Sequence, residues 1–148
     1  RGIEAWAAPG LPEKRPDLAF TGILDGSSSD AFGSDIAVIP LTFFPTANEV
    51  VLLHRPSRTL VVTDLVFHFT ERAPWSTRLA MRMLLGYPGC RMTLLERVGF
   101  RRSAARKEIA HLLALDFDRL IMAHGEVIET NGRDALYDAS RWLGPLSD

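Results

Sequence analysis

The sequence predicts a layered α/β domain, and two observations carry that prediction. The first half of the 148 residues consists of short apolar runs separated by Pro- and Gly-containing turns. After Asp64 the apolar period lengthens to that of helices, and the chain closes on a strand-length apolar run followed by one more helix. A single domain of this length buries about two-thirds of the surface its unfolded chain exposes.

Taken in order, Ile3 to Ala8 reads as a strand ended by Pro9-Gly10, and Leu11 to Leu18 as a charged, Pro-punctuated connection with at most one helical turn. Phe20 to Leu24 is a second short strand. Asp25-Gly26-Ser27-Ser28-Ser29-Asp30 is a loop, because these side chains compete for backbone hydrogen bonds. Apolar character returns from Ile36 to Phe44, where Pro40, which cannot donate to a ladder, argues for an edge strand or a bulge. Val50 to His54 and Thr59 to Val62 then flank Arg55-Pro56-Ser57-Arg58, a hairpin with Pro56 at the reversal. The second strand of that hairpin is apolar at nearly every position, so it is expected to be covered on both faces, with Asp64 emerging where it ends.

Beyond Asp64, Leu65 to Phe69 is apolar around His68, and Ser76 is placed to cap a helix that runs to Leu85 and stops at Gly86. Leu79 and Met83, with Ala80 and Leu84, form one face of it, and Arg78 and Arg82 another. Tyr87-Pro88-Gly89 is a turn. A short helix covers Met92 to Val98, and a longer one, Ser103 to Leu115, has Ser103 as its cap and Ala105, Ile109, Leu112 and Leu113 on one side. Arg119 to Ala123 has strand length and stops at His124-Gly125-Glu126. The last helix, Gly132 to about Leu143, has Asn131 as N-cap and Asp134 three residues on, with Ala135, Leu136, Ala139, Trp142 and Leu143 as its buried face.

Charge is close to balanced overall at −1 but unevenly spread: Arg72 to Lys107 holds nine basic residues against Glu96 alone, a net of +8, so the flanks carry −9. Such asymmetry fits an anionic partner, a membrane surface or complementarity between segments. Nucleic acid is a poor candidate, since the stretch has only Trp75, Tyr87 and Phe100 as aromatics and no helix-turn-helix or zinc-finger spacing. With no run of about 18 apolar residues, no span and no membrane partner are expected. The single cysteine, Cys90, can form no internal disulfide and fits a reducing, cytoplasmic setting. The sequence opens at Arg1 and enters apolar residues at once, as a strand entered mid-fold would, so an excised or processed piece is expected.

Two strands end in a potential metal ligand, Asp64 after Val61-Val62-Thr63 and His124 after Ile121-Met122-Ala123. Open α/β sheets bind ligands at the carboxyl ends of their strands, so if these two share an edge the pair could meet. Carboxylate oxygen and imidazole nitrogen both serve zinc, iron or manganese. Asp64 is either such a ligand or a turn cap. His124 is the better site residue, because Gly125 lets the backbone bend beside it. Glu126 either orients His124 or is a solvated loop acid. His54 is read as structural, with a supporting contact to the site as the alternative. His68 is a hydrogen-bonded core or interface residue, His111 lies on a helix surface, and Cys90 is either activated by Arg91 or an idle buried thiol.

The succession of strand, Pro-containing turn, strand ending in Thr63-Asp64-Leu65, helical insertion, strand ending in Ala123-His124-Gly125 and terminal helix resembles the second half of the metallo-β-lactamase fold. His54-Arg55-Pro56-Ser57-Arg58-Thr59-Leu60, Asp116-Phe117-Asp118-Arg119 and Ala123-His124-Gly125-Glu126 resemble an uncharacterised bacterial and plant family of metallo-β-lactamase-like proteins. The likeness extends to Ala7-Ala8-Pro9-Gly10-Leu11 and Arg15-Pro16-Asp17-Leu18 and covers most of the chain. It implies one half of an αββα sandwich and hydrolase ancestry. It also implies that Asp64 bridges two metal ions and that His124 binds the second, with zinc ahead of iron or manganese. The superfamily's His-x-His-x-Asp-His motif belongs to the first half and is absent here, and Phe44-Pro45-Thr46 stands where a Gly-His-Thr turn is expected.

Two ligands fall short of the four of a structural zinc or the three plus water of a catalytic one. The chain by itself is therefore expected to bind metal weakly or not at all, and the expected partner is a missing N-terminal half or a second copy. The alternative from a different class is a non-catalytic binding module that uses segment 72–107 on an anionic partner, with Arg78, Arg82, Arg101, Arg102 and Arg106 as the anion-binding candidates. A third is a purely structural half-sandwich whose bare sheet face pairs with another layer.

Overall fold

The computed structural model describes residues 4–45 and 48–146; Ile3 and Thr46 lie outside them. Among the described residues the strands are β1 (Trp6–Ala7), β2 (Gly22–Ile23), β3 (Ile36–Pro40), β4 (Val50–His54), β5 (Thr59–Val61), β6 (Phe67–Phe69), β7 (Gly89–Arg91) and β8 (Arg119–Ile121). The α-helices are α1 (Leu11–Lys14), α2 (Trp75–Met83), α3 (Leu94–Gly99), α4 (Arg102–Ala114) and α5 (Gly132–Ser140), with 3-10 turns at Ser28–Phe32 and Arg141–Leu143. The architecture is mixed α/β. No helix among these residues is long and apolar enough to cross a membrane.

The central sheet runs β3-β4-β5-β8, antiparallel through the first three strands and parallel between β5 and β8. Pro40 closes β3, which is the edge strand that a proline tolerates. The hairpin turn at residues 55–58 is closed by Arg58 N–H donating to Arg55 C=O at 3.0 Å, with Arg58 left-handed at φ 50°.

Strand alternation then sorts the side chains. Val51, Leu53, Leu60 and Leu120 are buried together against Ile109, Leu112 and Leu113 of α4 and Leu136 and Ala139 of α5. Each such aliphatic side chain stabilises the fold by about 1.5–3 kcal/mol through lost apolar exposure. The opposite face differs from expectation. Val61 stands on it with Leu52 and Ile121 in register, and these three and Val50 are only half-buried. The second hairpin strand is thus covered on one face by helices and left partly bare on the other.

Helix starts also differ from the sequence reading. Pro74, not Ser76, precedes the first turn of α2, because its extended backbone leads straight into Trp75 and Arg78 N–H reaches Pro74 C=O at 2.9 Å. Arg101 rather than Ser103 precedes α4, held there by its N–H on Phe43 C=O at 2.9 Å. Asn131 is left-handed and its side chain caps nothing; Asp118 serves α5 instead, accepting from Asn131 N–H at 2.8 Å and, through its carbonyl, from Gly132 N–H at 2.6 Å. Helix α3 has a capping box that Thr93-Leu94-Leu95-Glu96 encodes, Thr93 accepting from Leu95 N–H and Glu96 accepting from Thr93 N–H at 2.7 Å.

Candidate functional site

Strands β5 and β8 are parallel neighbours, so their carboxyl ends share one edge of the sheet. Past β5 the ladder continues with Val62 N–H donating to Ile121 C=O at 2.8 Å and Ala123 N–H to Thr63 C=O at 3.4 Å, and the chain bends at Thr63 and Asp64. Past β8, Ala123 and His124 follow. The outcome is contact: Asp64 Oδ1 lies 3.2 Å from His124 Nε2, with both side chains about half exposed.

Each partner is held by groups around it. Leu65 and Val66, directly after Asp64, are fully buried and anchor that turn. Glu49, 2 % exposed, accepts from Thr63 N–H at 2.7 Å, from Asp64 N–H at 3.0 Å and from the Thr63 hydroxyl, so one buried carboxylate fixes the backbone that carries Asp64. His124 stacks on Phe67, ring centroids 5.3 Å apart and planes 7° from parallel, and its carbonyl accepts from His68 N–H at 3.2 Å. Gly125 adopts φ 106°, and a Cβ there would meet the His68 carbonyl oxygen at 2.1 Å, so no side chain fits.

The other candidates are placed as follows. The Glu126 carboxylate bonds to the Thr70 hydroxyl and lies 3.7 Å from Arg72 rather than on His124. His54 sits at the turn end of the hairpin, its Nδ1 2.6 Å from Ser57 Oγ, paired with Thr59 at the end of β5 opposite to Asp64. Arg78 and Arg82 are on α2, where Arg82 covers the Tyr87 ring at 5.1 Å and Arg78 Nε is buried without an acceptor. Arg101, Arg102 and Arg106 are at the start of α4, where Arg102 covers the Trp142 ring at 5.4 Å and Arg106 Nε donates to Leu143 C=O at 2.7 Å. The five arginines therefore form two groups, and the second is largely occupied by the molecule itself.

A cleft of about 530 Å³ lies between the β6–β7 pair and α5, lined by His68, Cys90, Arg91, Asp134, Asp138 and Arg141 among others. His68 Nδ1 is 2.9 Å from Glu126 C=O, an acceptor only, so Nδ1 carries the proton and Nε2 is the basic nitrogen. Cys90 is the cross-strand neighbour of His68. Burial pushes the Cys90 thiol up to about 12 against the pull of Arg91, which keeps it a thiol rather than a nucleophile.

No protein-family model and no curated protein matches the chain. What the site can do therefore follows from its donors. Two ligands about 2.1 Å from one ion stand about 3.0–3.4 Å apart across an octahedral or tetrahedral angle, and the Asp64–His124 spacing of 3.2 Å falls within that range. Among the described residues no group of three or more His, Cys, Asp or Glu side chains is placed to hold a metal. The carboxylates nearest in sequence contact, Glu49 and Glu126, are engaged by Thr63 and Thr70. The same spacing is that of a direct carboxylate–imidazole pair, so Asp64 and His124 offer a cation two donors at most.

Sequence reasoning missed Glu49 and Phe67. The signal for Glu49 was an acid directly before the apolar run Val50-Val51-Leu52-Leu53, where a charge is costly to bury unless several donors meet it. Phe67 offered none, because stacking on His124 depends on a contact between distant segments.

Proposed function

We propose that this chain carries one wall of a metal-dependent hydrolase site of metallo-β-lactamase type, with Asp64 and His124 as two of its ligands. The single observation behind this reading is the 3.2 Å approach of Asp64 Oδ1 to His124 Nε2 at the shared end of two parallel strands. The succession of antiparallel hairpin, helical insertion and parallel strand, and the half-buried aliphatic face of the sheet, support a half-sandwich that receives a second layer. That layer is a further protein segment or a second copy of the chain, and it supplies the remaining ligands.

A zinc, iron or manganese ion at such a site supplies Lewis acidity and a bound water of lowered pKa. The residues of this chain orient and hold. Glu49 fixes the Asp64 backbone, Phe67 sets the plane of the His124 ring, and Gly125 allows the turn that brings the imidazole to the edge. Substrate choice falls to the layer that faces the pair.

The deciding experiment is elemental mass spectrometry of the purified chain beside an Asp64→Ala, His124→Ala double variant. Little or no metal on the chain alone, and metal that binds once the completing layer is present and is lost in the double variant, is the expected result. Equal metal content in both once that layer is present refutes the assignment.

A further inference from the structure

Helix α2 is inverted relative to an ordinary surface helix. None of its residues is buried, and its apolar stripe Trp75, Leu79, Met83, spaced four apart on one face, points outward at 72 %, 53 % and 77 % exposed. The inward side carries Thr77, Arg78, Met81 and Leu84 instead. The stripe does not end with the helix. Leu85 is exposed beyond it, and Leu94 N–H donates to Leu84 C=O at 2.7 Å, which brings the start of α3, with exposed Leu94, Leu95 and Val98, against the end of α2.

The charge around this surface is mainly positive, with exposed Glu71 just before segment 72–107 and Glu126, 3.7 Å from Arg72, as the acids beside it. Segment 72–107 holds nine basic residues, and its only acid, Glu96, is 4 % exposed and bound to Thr93 within the capping box. No acidic side chain of the segment itself faces solvent, whereas Arg72, Arg82 and Arg91 do; Arg102 lies over the Trp142 ring at the start of α4. An outward apolar stripe with a tryptophan at one end and Arg78 and Arg82 beside it, around a hollow of about 230 Å³ that Trp75, Leu79 and Tyr87 share with them, combines two separate attractions, apolar insertion and anion contact.

We infer that the α2–α3 surface docks on an anionic lipid bilayer, with Trp75, Leu79 and Met83 in the acyl–headgroup boundary and the arginines on lipid phosphates. The chain lies on the bilayer without spanning it, which needs no long apolar helix. Other occupants fit less well. Two copies packed stripe to stripe would bring the same arginines together with only Glu71 and Glu126 to meet them. Nucleic acid would satisfy the arginines but not Leu79, Met83, Leu85 and Val98, which have no ring to stack on a base. The inference is independent of the metal-site proposal, since no residue of the stripe takes part in that site.

Co-sedimentation of the full chain with vesicles tests it. The vesicles are phosphatidylcholine alone or two parts phosphatidylcholine to one part phosphatidylglycerol, at low and high salt. Partitioning onto the phosphatidylglycerol vesicles is expected to exceed that onto phosphatidylcholine by about tenfold and to weaken with salt. The triple variant Trp75→Ser, Leu79→Ser, Met83→Ser, confined to exposed positions, is expected to lose about tenfold or more. Arg82→Glu, which leaves the stripe intact, is expected to lose at least about fivefold. Each of three results overturns the inference: no partitioning onto either vesicle; partitioning that the triple variant retains; or self-association without vesicles, abolished by the triple variant, which assigns the stripe to a second copy.

Discussion

Replacing Glu49 by glutamine keeps the shape of the side chain and removes its charge, at a position where the carboxylate is 2 % exposed and accepts three hydrogen bonds from Thr63 and Asp64. An amide has one acceptor oxygen. Whichever way it turns, its NH2 faces the N–H of Thr63 or that of Asp64. Hydrogen bonds to a charged partner contribute about 1.5–3 kcal/mol and neutral ones about 0.5–1.5, so losing one and weakening two by about 1 each costs about 3.5–5 kcal/mol. With a urea slope of about 2 kcal/mol per molar, the unfolding midpoint should fall by about 2 M. The chain contains its own control. Glu108 accepts from Thr42 N–H at 2.7 Å and from the Thr42 hydroxyl, the same chemistry, but on the surface, where water replaces a lost partner. Glu108→Gln should therefore cost under about 1 kcal/mol. Equal costs for the two variants, or a Glu49→Gln shift below about 0.5 M, would refute the reasoning that burial sets the value of this carboxylate.

Two further expectations concern the strand ends and the cleft. Gly125→Ala places a methyl 2.1 Å from the His68 carbonyl oxygen at φ 106°, so about 1–3 kcal/mol of backbone strain adds to the weakened Glu126 N–H to His68 C=O bond of 2.8 Å, a fall in thermal stability that an unchanged melting temperature would contradict. Cys90, its thiol raised by burial to about 12, stays protonated through neutral pH, so a thiol reagent at pH 8 should label the folded chain at least about 100-fold more slowly than the urea-unfolded chain, and labelling should accelerate as pH rises; rapid labelling at neutral pH would show an accessible, ionised thiol.

The α/β class and the order of the larger elements were legible because they rest on local signals. Continuous apolar runs on either side of Pro56 mark the hairpin, and Ala105, Ile109, Leu112 and Leu113 mark the inner side of α4 at helical spacing. Caps were less legible. Ser76 and Ser103 have the right chemistry for an N-cap, but the helix begins where the preceding backbone is already held, at Pro74 and at Arg101 on Phe43. Thr93-Leu94-Leu95-Glu96 was legible in principle as a capping box. The apolar face of α2 was found by periodicity, but periodicity says which residues share a face and not which way that face points. Direction depends on what the helix packs against, and α2 keeps Arg78 and Met81 inward. At the site, Asp64 and His124 could be named from strand-end position alone, whereas Glu49 and Phe67 act across 14 and 57 residues of sequence, and only Glu49 left a local mark, an acid at the head of an apolar run.

The ligand shortfall and the half-covered sheet are connected by geometry. Val61 and Ile121 are paired on the half-buried side, and each precedes a proposed ligand by three residues, Asp64 and His124. A second layer seated over Val50, Leu52, Val61 and Ile121 would end beside the pair. Completing the burial of four aliphatic side chains already half covered contributes about 3–6 kcal/mol, part of which offsets the entropy of association. A metal bound only by the assembled form adds a term that grows with its concentration over its dissociation constant. The two terms have different origins, so the apolar contact can form without the ion, while two protein ligands cannot hold the ion well without the contact. Assembly precedes metal in this scheme, and Glu49 matters to both, because it fixes the turn at which the covered strand ends and the ligand begins.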